Sequence, residues 1–242
     1  MAGHSQFKNI MHRKGAQDAK RAKIFAKLAR EITVAAKSGL LDAKQNPRLR
    51  NAIINARHEN MPNEKINKAI QKASSNEDNN NFEEIRYEGI GNNGISLIIE
   101  TLTDNRNRTA SEIRSILNKN SGTLGESGSV SYNFERAGKI VFESKDINKE
   151  KFFEFAIDIG VTDIIEEHEI IIAICEPEKF GKIRDLLEKE FKEPIIAKLI
   201  WNIKNYVTVN KEEEKKLYYI IELLEENDDV QNIYTNEKVI SN

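Results

Sequence analysis

Lys8, His12, Arg13, Lys14, Lys20, Arg21, Lys23, Lys27 and Arg30 crowd the opening of the sequence, and Arg48, Arg50 and Arg57 follow on the next helical stretch. These are phosphate-type donors, which hold a nucleic-acid backbone by Coulomb attraction and counterion release. Engaging about six phosphates would give a log-log salt slope near −5 on duplex DNA. Such contacts position a protein without reading sequence, and no helix-turn-helix, zinc-finger or basic-zipper pattern accompanies them to supply base readout. Replacing Lys20, Arg21, Lys23, Lys27 and Arg30 with Gln is expected to leave folding intact and to flatten the salt dependence of binding. A second polar stretch, Thr103-Asp104-Asn105-Arg106-Asn107-Arg108-Thr109, sets Arg106 and Arg108 between a strand and a helix, where helix N–H groups and two guanidinium groups suit a phosphate. A capped helix start with Arg paired to Asp accounts for the same residues equally well. Ser121 to Gly125 reads as a contact loop or, preferably, a turn whose glycines supply positive φ.

Other chemistry is sparse. Gly89-Ile90-Gly91-Asn92-Asn93-Gly94 has the spacing of a dinucleotide fingerprint, but a strand follows it where that motif opens a helix, so a hairpin turn is the better reading. His4, His12, His58 and His168 lack ligand spacing, and the single cysteine, Cys175, excludes an intrachain disulfide and a Cys-based zinc site. Gly125-Glu126-Ser127-Gly128-Ser129 departs from the GxSxG nucleophile elbow and precedes a strand. Asp163, Glu166, Glu167 and Glu169 form an acidic cluster that reads as a solvated turn between strands. No Walker motif is present. The residues specify neither an enzyme nor a metal or cofactor site.

Net charge sharpens the reading. The 242 residues sum to −2, yet residues 1–72 hold 16 bases and 5 acids, whereas the rest holds 21 bases and 34 acids. A basic module joined to an acidic body is the pattern of a polyanion binder whose body meets something other than polyanions; a solvated helical face, or an intramolecular partner for the acidic body, is the alternative. Hydrophobic residues at 39% and charged residues at 31% suit ordinary globular domains. No apolar run reaches the roughly 18 residues of a membrane span and no secretory signal opens the chain, so a cytoplasmic protein is expected. The basic, amphipathic segment Met1 to Arg30 also has the look of a transit peptide, although it runs straight into a well-patterned helix.

These residues sit on a predicted succession of elements. Ile24, Leu28, Ile32 and Ala35 recur at helical spacing over Gln17 to Ser38, with Gly39 as C-cap. Asn46-Pro47 starts a second helix towards Asn60, and Pro62-Asn63 a third ending near Ala73, giving a small basic bundle. Ser74 to Asn81 reads as a linker. Strands Ile85 to Ile90 and Ile95 to Thr103 form a hairpin, followed by a helix over Asn107 to Asn120 and a strand over Ser129 to Phe134. Strand Lys139–Glu143, helix Lys149–Ile159, strands Thr162–Ile165 and Ile170–Cys175, helix Glu178–Phe191 and strand Ile195–Trp201 give βαββαβ, the order of a ferredoxin-like unit. A helix over Lys211 to Glu225 and a strand over Val230 to Tyr234 return to the first sheet. The expected fold class is therefore α+β and multidomain: a basic helical bundle over 1–80, a discontinuous α+β domain over 81–137 and 206–242, and an inserted ferredoxin-like domain over 138–205. Its strand Glu169 to Glu176 lacks the basic and aromatic residues that RNA-recognition motifs use to stack bases, and residues 138–203 carry 10 bases against 15 acids, suiting protein contact or spacing.

The strings MAGHSQFKNIMHRKGAQDAKRAKIFAKLAREITVAAKSG, NPRLRNAI, NMPNEKINKAI, EEIRYEGIG, TLTDNRNRT, GTLGESGSVSYNFERAG and DVQNIY, in this order, closely resemble the YebC/PmpR family over almost the whole chain. The resemblance implies three domains and a regulator of gene expression without enzymatic activity. Members are described as cytoplasmic DNA-binding transcriptional regulators; relatives, among them mitochondrial translational activators, are linked to the ribosome and to relief of stalling at proline-rich stretches. It also implies nucleic-acid contact at Met1 to Leu28 and at Thr103 to Thr109. The expected partners are thus DNA or ribosomal RNA, with a ribosomal or transcription-machinery protein against the acidic domains. Phe7 stands where the family usually has tryptophan, which removes an indole donor. Leu40-Leu41-Asp42-Ala43 and Ser74 to Asn81 replace glycine-richer turns, so stiffer hinges are expected.

Overall fold

The computed structural model describes residues 18–74, 82–145 and 147–240. In chain order the helices are α1 (Asp18–Lys37), α2 (Pro47–His58), α3 (Asn63–Ser74), α4 (Arg106–Lys119), α5 (Lys149–Asp158), α6 (Phe180–Glu190) and α7 (Lys211–Glu225). The strands are β1 (Glu83–Ile90), β2 (Ser96–Thr103), β3 (Thr123–Leu124), β4 (Phe134–Glu143), β5 (Asp163–Glu167), β6 (Ile170–Cys175), β7 (Ile196–Ile203), β8 (Val207–Val209), β9 (Val230–Thr235) and β10 (Glu237–Val239). This is a mixed α+β fold in two compact units. The first comprises the described residues of Met1–Lys27, Asn79–Glu135 and Ile203–Asn242; the second comprises those of Leu28–Asp78 and Arg136–Asn202.

In the first unit the sheet order is β3-β1-β2-β9. The β1–β2 hairpin closes with Ile90 opposite Ser96, and the turn places Asn93 at φ 58° and Gly94 at φ 75°, the left-handed backbone expected of the Gly/Asn stretch. Leu97 and Ile99 of β2 meet Ile113 and Leu117 of α4 and Leu217, Ile220 and Leu224 of α7, all fully or almost fully buried. Asn210 starts α7 with a capping box: its side chain accepts from the Glu213 N–H, and the Glu213 carboxylate accepts from the Asn210 N–H.

The strand expected over Ser129 to Phe134 does not form. The N–H groups of Val130 and Ser131 donate to Glu88 Oε2, both at 2.9 Å, and Ser131–Asn133 make a 3-10 turn. With those donors committed to a carboxylate, ladder pairing begins only at Phe134, and the strand expected over Lys139 to Glu143 is the far end of one ten-residue strand, β4. Parallel pairing of β8 with β10 was also not expected.

In the second unit the sheet order is β5-β6-β4-β7, with β6 antiparallel to both β4 and β5. This is the strand order of a ferredoxin-like fold, and α5 and α6 cover the face that carries Ile140, Phe142, Ile171 and Ala173. Phe152 lies between Phe142 and Phe191, at 5.5 and 4.9 Å between ring centroids. A 3-10 turn over Pro177–Lys179 delays α6 to Phe180, two residues past its expected start. Asn46 links the helices: its side-chain oxygen accepts from the Leu49 N–H, capping α2, while its amide donates to the carbonyls of Ala35, in the last turn of α1, and of Leu40, just beyond it. Gly39 is therefore not a left-handed cap. It leaves room for Asn46, whose Nδ2 would lie 2.7 Å from a Cβ there.

Candidate nucleic-acid interface

Asn46 and Pro47 fix where α2 begins, and its polar positions then carry Arg48, Arg50 and Arg57 at definite places. Arg48 donates from two nitrogens to the Glu31 carboxylate, at 3.0 and 3.3 Å. Arg50 reaches both oxygens of Asp185 at 3.1 and 3.4 Å, and Arg57 lies 3.5 Å from Glu193. Arg184, fully buried on α6, donates from Nε to Asp185 at 3.0 Å and also donates to Asn51 of α2. Arg50 and Arg57 therefore face carboxylates of the ferredoxin-like fold, and Arg48 faces one of α1. Exposed pairs such as Arg57–Glu193 are each worth about 0–1 kcal/mol, so a dense polyanion competes with them readily.

In the first unit, Lys23 Nζ donates to the Glu226 carbonyl at 2.9 Å and Lys27 Nζ to the Glu225 carbonyl at 2.7 Å. Both sit where the last carbonyls of α7 gather partial negative charge, an interaction worth about 0.3–1 kcal/mol per cation. The expectation that all five helix cations can be neutralised without touching stability therefore needs revision: Lys23 and Lys27 also hold a helix end. The Arg21 guanidinium stands 5.4 Å from the Phe25 ring centroid. Arg30 is half-buried. Lys8, His12, Arg13, Lys14 and the side chain of Lys20 lie outside the described residues.

The Thr103–Thr109 stretch builds a closed network around a residue absent from the expected site. Asp229, with its side chain 5% exposed, accepts from Arg108 at 2.7 Å, Thr109 Oγ1 at 2.7 Å and Thr103 Oγ1 at 3.0 Å. Asn105 caps α4 by accepting from the Arg108 N–H at 3.1 Å, and Arg108 also reaches Asp104 at 2.9 Å. Hydrogen bonds from the Arg108 side chain to Asp229 and then Asp104 push its pKa above the ordinary guanidinium value. The capped, Arg–Asp-paired helix start is thus the arrangement present. Arg106 is exposed at the first position of α4, and its carbonyl accepts from the Tyr87 hydroxyl at 2.9 Å. Burial raises the Tyr87 pKa, with Arg106 opposing and Asp229 and Glu83 adding to the rise.

Among the described residues no group of three or more His, Cys, Asp or Glu could hold a metal ion, and no helix is long and apolar enough to cross a membrane. Burial pushes the Cys175 thiol up to about 11, with Glu176 adding to the rise.

One family model, described as the TACO1/YebC protein N-terminal domain, matches residues 5–76, and another, the TACO1/YebC second and third domain, matches residues 82–237. The chain belongs to the TACO1/YebC family. A solved structure described as a conserved hypothetical protein from Aquifex aeolicus is similar to it at 40% identity and a TM-score of 0.82, covering 93% of each chain. Within this TACO1/YebC chain, Asp229 opens the DVQNIY string that carried part of the resemblance, so the string itself pointed to the residue. Asp185 and Glu193 had no such signal: each reads as one more surface acid until the fold brings α2 to it.

Proposed function

We propose that the protein is a non-enzymatic, nucleic-acid-binding regulator of gene expression. The observation that carries this reading is the excess of 16 bases over 5 acids in residues 1–72 of a chain whose remainder is acidic. Membership of the TACO1/YebC family supports the regulatory role, with DNA as the target in this first reading. The basic segment holds the polyanion, including through Arg21, Arg30 and the exposed Arg106; the acidic domains orient it or meet a ribosomal or transcription-machinery protein.

A specific observation favours a second reading, a translation factor on ribosomal RNA. The arginines of α2 are spread over Glu31, Asp185 and Glu193 in pairs that a phosphate backbone can displace, and no base-reading motif accompanies them, which favours backbone attraction over reading of base edges. Binding by charge and shape suits a folded RNA.

Ultraviolet crosslinking in growing cells, followed by sequencing of all attached RNA and DNA, separates the two. Discrete promoter DNA peaks support transcriptional regulation, whereas reads gathered in one ribosomal RNA neighbourhood support the translation role. A variant with Lys8, Arg13, Lys14, Arg21 and Arg30 changed to Gln spares the two lysines at the end of α7. Crosslinking undiminished in that variant refutes the assignment of the basic segment.

A further inference from the structure

On the first unit, the last turn of α4 and the first turns of α7 border a shallow, open cleft of about 430 Å³. Lys119, Lys215 and Lys216 line it, with Tyr219 beside them. Tyr219 is 55% exposed, and Lys119 and Lys215 are exposed as well. Lys216 shares its charge with Glu212 at 3.1 Å. Three ammonium groups against one lining carboxylate make this an anion-attracting patch in a part of the chain that is otherwise rich in acids.

The opposite wall is polar and fixed. Ser121 holds a left-handed backbone at φ 60°, and the end of the Asn92 amide lies 3.2 and 3.3 Å from the Ser121 and Asn120 carbonyls, a setting that suits its nitrogen as donor. The Asn92 turn of the hairpin thus pins the end of α4 and sets Lys119 opposite α7.

We propose that this cleft binds one nucleotide of a single-stranded nucleic acid, its phosphate on Lys119 and Lys215 and its base against the Tyr219 ring. The proposal rests on the nucleic-acid-binding reading above and adds a contact outside the basic segment. An acidic peptide would satisfy the lysines but leave the exposed aromatic face unused; a nucleotide uses both, since lysines take the backbone and aromatic rings take bases of any sequence. Ser121 and Asn92 also line the cleft, polar neighbours of the kind to which a base edge or a ribose hydroxyl bonds.

The test uses the full chain with matched oligonucleotides, one RNA carrying 4-thiouridine and one DNA carrying 4-thiothymidine, photocrosslinked and mapped by mass spectrometry. Fluorescence anisotropy supplies affinity over a salt series. The expected result is a crosslink on the Tyr219 peptide, and the affinities of the two arms show which strand the cleft prefers. Changing Lys119→Gln and Lys215→Gln together should abolish that crosslink and make the log-log salt slope shallower by about 1.4. Tyr219→Leu should lower affinity about fivefold or more, since stacking on an aromatic ring contributes about 1–3 kcal/mol per base. All three residues are exposed, so circular dichroism and thermal unfolding should not change. Crosslinks confined to peptides of the basic segment overturn the cleft while leaving the binding function intact, and a Tyr219 crosslink that survives loss of both lysines overturns it as well. Crosslinks on no peptide, with no measurable anisotropy change, overturn both readings.

Discussion

Changing Asp229→Ala removes the acceptor on which Arg108, Thr109 and Thr103 converge at 2.7, 2.7 and 3.0 Å. The three donors do not lose equally. Arg108 is 44% exposed and keeps Asp104 at 2.9 Å, so its share is that of a partly hydrated ion pair, under about 1 kcal/mol. Thr103 and Thr109 are 1% and 0% exposed, and water does not reach them. Each hydroxyl hydrogen bond to a charged acceptor is worth about 1.5–3 kcal/mol, but the two hydroxyl oxygens lie 2.8 Å apart, so once Asp229 is gone one can turn its proton to the other and recover part of the loss. The expected destabilisation is therefore about 3 kcal/mol for Asp229→Ala, about 1–2 for Asp229→Asn, which keeps one acceptor oxygen, and under about 1 for Arg108→Ala. Urea unfolding followed by circular dichroism gives the totals, and hydrogen exchange resolved to peptides covering β2 and the first turns of α4 shows where protection falls. A loss below about 1 kcal/mol for Asp229→Ala, or an equal loss for Arg108→Ala, would falsify the view that this stretch is held together chiefly from beneath by two buried threonines.

Three further outcomes are expected. Burial alone would raise the Glu88 carboxyl, but the N–H groups of Val130, Gly128 and Ser131 together with Arg86 carry its pKa below the ordinary 4.5. A carboxylate lowered on folding stabilises the protein above that pH and loses the contribution as acid protonates the folded state, so Glu88→Gln should shrink the drop in thermal stability between pH 5 and pH 3. An unchanged drop argues against it. Gly138→Ala would place a methyl 2.6 Å from Phe180 Cδ2 and 2.7 Å from Cys175 Sγ; it should cost the ferredoxin-like fold about 1–3 kcal/mol in urea unfolding, and a neutral result would mean that Phe180 turns aside freely. Glu193→Gln releases Arg57 from its acid without touching the Asp185 that serves the buried Arg184, so this variant should bind nucleic acid more tightly at low salt; weaker binding would show that Arg57 acts only in holding the fold.

What the sequence disclosed follows the range of each interaction. Asn46-Pro47, the Gly/Asn hairpin turn and the βαββαβ order rest on neighbours within a few residues, and each is present. The Glu88 carboxylate lies 42 residues from the Val130 N–H that it accepts, and no local pattern tells that Val130 will not join a ladder. The basic segment was legible as charge, but what each cation faces was not. Lys23 meets a carbonyl 203 residues away, and Arg50 meets an acid 135 residues away. Asp229 stands between these cases. Its neighbours in sequence were distinctive, whereas its role became visible only once β9 lay beside β2.

That last pairing bears on how the chain is made. Thr101 of β2 pairs with Val230 of β9, 129 residues later. At about 5–20 residues per second, synthesis takes on the order of ten seconds to deliver that partner. Through this interval β2 already has β1 along one side, while its other side presents unpaired backbone groups next to Leu97 and Ile99. An open apolar edge is a template for the wrong strand, including the same strand of a chain emerging from a neighbouring ribosome. The ferredoxin-like strands, by contrast, emerge together between Phe134 and Ile203 and close their own sheet without waiting. Translation rate past the hairpin, and whatever shields β2 until Val230 appears, thus bear on yield more directly than the stability of the finished molecule does.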